Sequence, residues 1–173
     1  LAQQARTRAQ DLAYDRALAD TLYQYTYYVL TTLDHQGLMP DMVQVGNEIN
    51  PEMLTPRNWL LRPTGENRPI DWRRDAMIIN AGIKAVRDTG AGSKIKPRVM
   101  LQIAHPQSVE PWFAAATKAG VTDYDIIGIS YYSFHNSPDD MAETGAVIHR
   151  LRKAYPGKGV MVVETDYPWT SSP

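Results

Sequence analysis

Glu48 stands at the end of the run Met42-Val43-Gln44-Val45-Gly46-Asn47-Glu48-Ile49, and Glu164 at the end of Gly159-Val160-Met161-Val162-Val163-Glu164. Each is a carboxylate at the C-terminal tip of an apolar, β-like stretch. A carboxyl group there is costly to desolvate, so it is seldom present without a partner or a task. Two carboxylates facing one bond can divide a hydrolysis between them: one protonates the departing oxygen and the other acts at the carbon. When the second is a nucleophile on a glycosidic bond, the two lie about 5 to 5.5 Å apart and configuration is retained. The bland alternative is that each glutamate caps the following helix or pairs with an arginine.

The elements that must hold these residues alternate. Residues 9–36 have helical spacing through Leu18, Leu22, Tyr25, Val29 and Leu33, with Gly37 placed to end the helix and Pro40 to prevent its continuation. Residues 42–47 predict a strand, and Asn50 to Asp71, rich in proline, a long loop of the kind that carries function. Helical patterns follow over 72–89, 108–120 and 139–155, and strands over 98–104, 126–132 and 160–164. Apolar strands alternating with helices imply a parallel sheet covered by helices. A complete (β/α)₈ barrel needs about 250 residues and eight strands. Four strands in 173 residues point to part of such a barrel, read as one partial catalytic domain over 1–173.

Alternation along the strands places side chains. Gln44, Gly46 and Glu48 share one face of the first strand, and Gly128, Ser130 and Tyr132 one face of the third. Glu48, Tyr132 and Glu164 are then expected to converge at the mouth of the barrel. Tyr131 stays open as the alternative, because bulges shift parity at strand ends.

The formal charge of −1 gives no reason to expect nucleic acid or an anionic membrane as partner, and no run is long and apolar enough for membrane insertion. Without cysteine there are neither disulfides nor thiolate metal sites. His35 and His149 have no metal-ligand spacing, so no metal is assigned. No signal peptide is visible, and the opening without Met suggests missing upstream sequence. No glycine-rich phosphate loop follows a strand, which disfavours a nucleotide-binding sheet.

Val43-Gln44-Val45-Gly46-Asn47-Glu48-Ile49 and Val162-Val163-Glu164-Thr165-Asp166-Tyr167-Pro168-Trp169-Thr170 resemble the fourth- and seventh-strand motifs of glycoside hydrolase family 53, the endo-β-1,4-galactanases. Ile127-Gly128-Ile129-Ser130-Tyr131-Tyr132 resembles the family's sixth strand, and Ala81-Gly82-Ile83-Lys84-Ala85-Val86-Arg87 its fourth helix. The resemblance implies an α/β fold, the (β/α)₈ TIM barrel of a configuration-retaining clan, here only about strands four to seven. It implies Glu48 as acid/base, Glu164 as nucleophile, Asn47 on the sugar 2-hydroxyl and a sixth-strand tyrosine orienting Glu164. The implied partner is plant cell-wall galactan, with no organic cofactor and a secreted or periplasmic location.

Three departures bear on this. Threonine stands before the proline of Leu54-Thr55-Pro56 where the family usually has tryptophan, so Trp59 becomes a candidate sugar platform, with loop packing as its alternative. The family's fifth-strand histidine appears as Gln102, with His105 three residues on as a possible cleft residue. Strands one to three and eight are absent. Trp169 could stack on a sugar or pack under the rim. Two rivals follow: a related β-glycan hydrolase, or a barrel fragment that binds carbohydrate weakly without turnover.

Overall fold

The computed structural model describes residues 8–54, 69–132 and 140–166. They fall into two compact units. One comprises Leu1–Asp41 with Glu52–Pro97, the other Met42–Pro51 with Arg98–Pro173.

The first unit is a helix pair, α1 (Arg8–His35) packed on α2 (Trp72–Gly92). Gly37, at φ 71°, ends α1. The Leu38 N–H reaches back to the Leu33 carbonyl at 2.8 Å, and the Gly37 N–H to that of Asp34 at 2.9 Å. These two bonds satisfy carbonyls the helix end would otherwise leave open, and only glycine takes the required backbone readily. The helix forms as expected, and of the expected stripe Leu18, Leu22, Val29 and Leu33 are half-buried while Tyr25 falls outside it. Asp15, Ala19 and Leu30 are buried, whereas Tyr25 is 68% exposed. Arg74 of α2, itself buried, pairs with Asp15 at 3.3 Å, which gives the one buried carboxylate on α1 its partner. Tyr23 donates to Asp88 at 2.7 Å and stacks on Tyr27 with ring centroids 5.8 Å apart, whereas Tyr28 is 69% exposed. Helix α2 follows its sequence pattern, with Ala76, Ile79, Ile83 and Val86 all buried and Asp71 capping the Arg74 N–H at 3.3 Å.

The second unit is a parallel sheet in the order β1 (Met42–Gln44), β2 (Arg98–Ala104), β3 (Ile126–Ser130) and β4 (Gly159–Glu164). Helix α3 (Pro106–Lys118) packs on β2 and β3, and α4 (Asp140–Ala154) on β4 and α3. The core is the β-branched and aliphatic set Val99, Leu101, Ile103, Ile127 and Ile129 together with Val109, Phe113, Val147 and Leu151, all buried. Phe113 sits among Trp112, Tyr124 and Tyr155, with ring centroids 5.0, 5.2 and 6.2 Å away. Trp112 is thereby a core residue.

Three strands differ from the sequence reading, β3 by ending at Ser130 rather than residue 132. β1 stops at Gln44 rather than residue 47, because Gly46 and Glu48 adopt positive φ and turn the chain out of the ladder. β4, apolar enough to look fully buried, is the last strand of the described sheet, with Met161 and Val162 40% and 39% exposed.

Candidate active site at the strand ends

The polar side chains of the second unit gather where the strands end. After β1 the chain turns through Gly46 (φ 78°) and Glu48 (φ 46°). A non-glycine residue in this left-handed region costs about 1–3 kcal/mol and persists only where its surroundings fix it. Here they do. The Val45 N–H donates to the Met100 carbonyl at 3.0 Å and the Ile49 N–H to the Gln102 carbonyl at 3.1 Å. Asn50 then imitates a strand: its Nδ2 donates to the Ala104 carbonyl at 2.7 Å and its Oδ1 accepts the Ala104 N–H at 2.6 Å. Glu48 is therefore set by a clamped turn and not by the strand alternation its position suggests.

At the other end, Ile129 pairs with Val162 but Ser130 with Glu164, so Val163 is the extra residue of a bulge. Bulges re-aim side chains, and this one turns Val163 and Glu164 to the same face. A Cβ on Gly128 would meet Val163 Cγ2 at 3.2 Å, and Glu164 Oε2 accepts a hydrogen bond from Gln102 Nε2 at 2.6 Å. Glu164 Oε1 accepts from the Tyr132 hydroxyl. The alternative tyrosine, Tyr131, meets Glu164 through the backbone: its N–H donates to the Glu164 carbonyl at 2.8 Å.

The charges follow from these bonds. Hydrogen bonds from Tyr132, and then from Gln102, hold the Glu164 carboxyl below the usual carboxylate range. Conversely, the bond to Glu164 pushes the Tyr132 phenol up to about 12, helped by desolvation and by the negative charges of Glu164, Glu48 and Asp166. One phenol thus senses both glutamates. The two are not equivalent, because the Glu48 carboxylate, half-buried, accepts no hydrogen bond among the described residues; only its backbone N–H is engaged, with Gln102 Oε1 at 3.2 Å.

Gln102 is the residue that sequence reasoning missed. In the sequence it marks only a position where the family commonly has histidine. It is 1% exposed and uses its whole amide. Nε2 donates to Glu164 and to Ser130 Oγ at 2.9 Å, while Oε1 accepts from Gln44 Nε2 at 2.6 Å and from the Glu48 N–H. The signal was present: one amide inside the apolar run Val99-Met100-Leu101-Gln102-Ile103 must find partners if that strand is buried. Asn47 is exposed, with Oδ1 accepting from Gln44 Nε2 at 3.2 Å. His105 begins α3 with φ 62°, exposed and without a side-chain capping bond, and no hydrogen bond of the Gln102 network reaches it. Trp59 and Trp169 lie outside the described residues.

Among the described residues, no group of three or more His, Asp or Glu is disposed to hold a metal ion, and no helix is long and apolar enough to cross a membrane.

The chain is similar to known proteins in sequence and fold. The chain is 40% identical over 161 residues to an arabinogalactan endo-beta-1,4-galactanase of Cellvibrio japonicus, covering 90% of this chain and 39% of that protein. It is 31% identical over 155 residues to arabinogalactan endo-beta-1,4-galactanase A of Emericella nidulans, covering 87% and 41%. The fold matches the GH53 catalytic domain of Ignisphaera aggregans with a TM-score of 0.75 at 25% identity, over 99% of this chain and 43% of the other. A fungal beta-1,4-galactanase structure matches with a TM-score of 0.72 at 26% identity, over 87% and 43%. The chain thus spans about two fifths of the length of these relatives, and its parallel strand–helix alternation is that of part of their TIM-barrel catalytic domains. The family profile of glycosyl hydrolase family 53 matches residues 2–173, and the chain belongs to that family.

Proposed function

We propose that this chain carries the two catalytic carboxylates of a retaining endo-β-1,4-galactanase acting on galactan of type I arabinogalactan. The observation that carries the reading is the asymmetry of the two glutamates around Tyr132. Glu164 receives donors on both oxygens, which favours the charged form a nucleophile needs. Each of those oxygens keeps a further lone pair for the anomeric carbon. The Glu48 carboxyl, with no hydrogen-bond donor fixed on it among the described residues, is left for the acid/base role.

In the first step a Glu164 oxygen attacks the anomeric carbon as the glycosidic C–O bond breaks, and the Glu48 proton goes to the departing oxygen. In the second, the Glu48 carboxylate takes a proton from water whose oxygen attacks the same carbon, releasing Glu164. Asn47 hydrogen-bonds the sugar 2-hydroxyl, and Tyr132 orients Glu164. Tyr131 and His105 are further candidates for substrate contact, as are Trp59 and Trp169, which lie outside the described residues. The galactan substrate is that of the relatives' names, and a secreted or periplasmic location goes with a polymer that cannot enter a cell.

The test is a reducing-sugar assay on galactan beside other β-glycans, using the full-length gene product. Glu164→Gln is expected to abolish hydrolysis of galactan and of aryl galactosides alike. Glu48→Gln should lose galactan hydrolysis by about 10²–10⁴-fold, yet keep much of the first step on aryl glycosides, whose leaving groups need little protonation. Full activity of both variants on galactan would overturn the assignment. A second reading concerns the 173 residues alone: the exposed apolar edge at β4 favours weak carbohydrate binding or self-association without turnover.

A further inference from the structure

Gln102 occupies the centre of the site yet presents nothing to a substrate: it is buried, and each of its four hydrogen-bonding positions is taken. We propose that Gln102 is a positioning residue whose single side-chain amide ties Glu164 to the turn presenting Glu48, so that both carboxylates are held in one frame. The inference rests on the reading of Glu164 as nucleophile and Glu48 as acid/base.

The chemistry of the amide carries it. Glu164, as a carboxylate, only accepts, so Nε2 must face it; the opposite end, Oε1, must then accept from the Glu48 N–H and from Gln44. The bond to the Glu48 N–H lies within the turn whose positive φ the backbone does not choose unaided. A neutral imidazole offers one donor and one acceptor, so a histidine could not serve all four partners. A glutamate would keep the shape but set a second carboxyl 2.6 Å from the first. Leucine or methionine would fill the volume and leave Glu164, Ser130, Gln44 and the Glu48 N–H each short of a bond. A side chain present only for packing has no need of such completeness, and a buried amide satisfied on all sides fixes orientation as well as contact.

The experiment compares Gln102→Met and Gln102→Glu with the wild-type full-length gene product by two readouts. The first is the titration of Glu164, followed by NMR of δ-¹³C-glutamate protein, its signal assigned by loss in Glu164→Gln. The second is the pH profile of kcat/KM on galactan. In Gln102→Met the Glu164 titration moves to higher pH, and kcat/KM falls about tenfold or more, as expected for one lost bond to a charged group. The fall is steepest on the acid side. In Gln102→Glu, nearly isosteric, the titration moves further still, because two adjacent carboxyls compete for one proton. Glu164 titrating as in wild type in both variants would overturn the proposal. So would a Gln102→Met variant that loses only thermal stability while Gln102→Glu behaves as wild type, since that is the pattern of packing. Should Gln102→Met not fold, Gln102→Glu still decides. A wild-type protein inactive on galactan would refute the proposed function alone, and the NMR titration would still decide the role of Gln102.

Discussion

Replacing Asp75 by asparagine should stabilise the protein at neutral pH and do far less in acid. Asp75, on α2, is wholly buried. Its Oδ1 accepts the Met53 N–H at 2.7 Å, while Oδ2 has no hydrogen-bond partner. Burial pushes its carboxyl up from the ordinary 3.8 to about 6; the Met53 N–H and the Arg74 charge pull it down, and Glu52 adds to the rise. With the folded value above the unfolded one, the native protein keeps a proton that the unfolded chain releases. Stability therefore falls as pH rises through the interval from 3.8 to about 6, and the whole loss is in place above it. A gap of about two units at about 1.36 kcal/mol each is worth roughly 3 kcal/mol at full effect, of which about 2 kcal/mol develops between pH 4 and pH 7. Asparagine keeps the acceptor for Met53 and cannot ionise. The gain from Asp75→Asn should thus be about 2 kcal/mol larger at pH 7 than at pH 4, whatever constant offset the new amide brings. Urea denaturation of both proteins at the two pH values measures it, because other titrating groups cancel. An equal difference at both pH values, or a larger gain in acid, would refute the reasoning.

Tyr132→Phe removes the principal donor to Glu164, so the acid limb of the kcat/KM profile should move to higher pH, while activity at pH well above that limb is less affected. An unmoved limb would show that the phenol does not govern Glu164. Gly128→Ala places a methyl 2.9 Å from Met100 Sδ, 3.2 Å from Val163 Cγ2 and 3.3 Å from Gln102 Cβ. Met100 can swing aside, but the residues on both neighbouring strands must also give, so overpacking outweighs the usual benefit of alanine. A loss of about 1–3 kcal/mol by denaturant titration, with reduced kcat/KM from the displaced Gln102, is expected. Phe113→Ala should cost about 3–5 kcal/mol by the same titration and leave the pH profile unchanged, since its ring packs with Trp112, Tyr124 and Tyr155 away from the Gln102 network.

Period and punctuation carried most of the secondary structure. Ile79, Ile83 and Val86 mark α2 because their spacing admits one buried face, and Gly37 marks the end of α1 because its backbone is needed there. Properties set by partners distant in sequence were not readable. The burial of Asp15 on α1 depends on Arg74, 59 positions on, which no local pattern announces. The early end of β1 depends on the Glu48 turn being clamped by Met100, Gln102 and Ala104. At the site, strand-end position singled out Glu48 and Glu164, and parity singled out Tyr132, which bonds Glu164. The bulge at Val163 that aims Glu164, and the amide of Gln102 that joins the strands, belong to pairing between strands and so lay beyond a one-dimensional pattern.

The most direct measurement is covalent trapping of the full-length gene product with an activated 2-deoxy-2-fluoro-β-galactoside, followed by peptide mapping. The account predicts one label per molecule, on Glu164, with Glu48 unmodified and the label lost when galactan acceptor is supplied. A label on Glu48, or galactan hydrolysis that proceeds with inversion at the anomeric carbon, would contradict it.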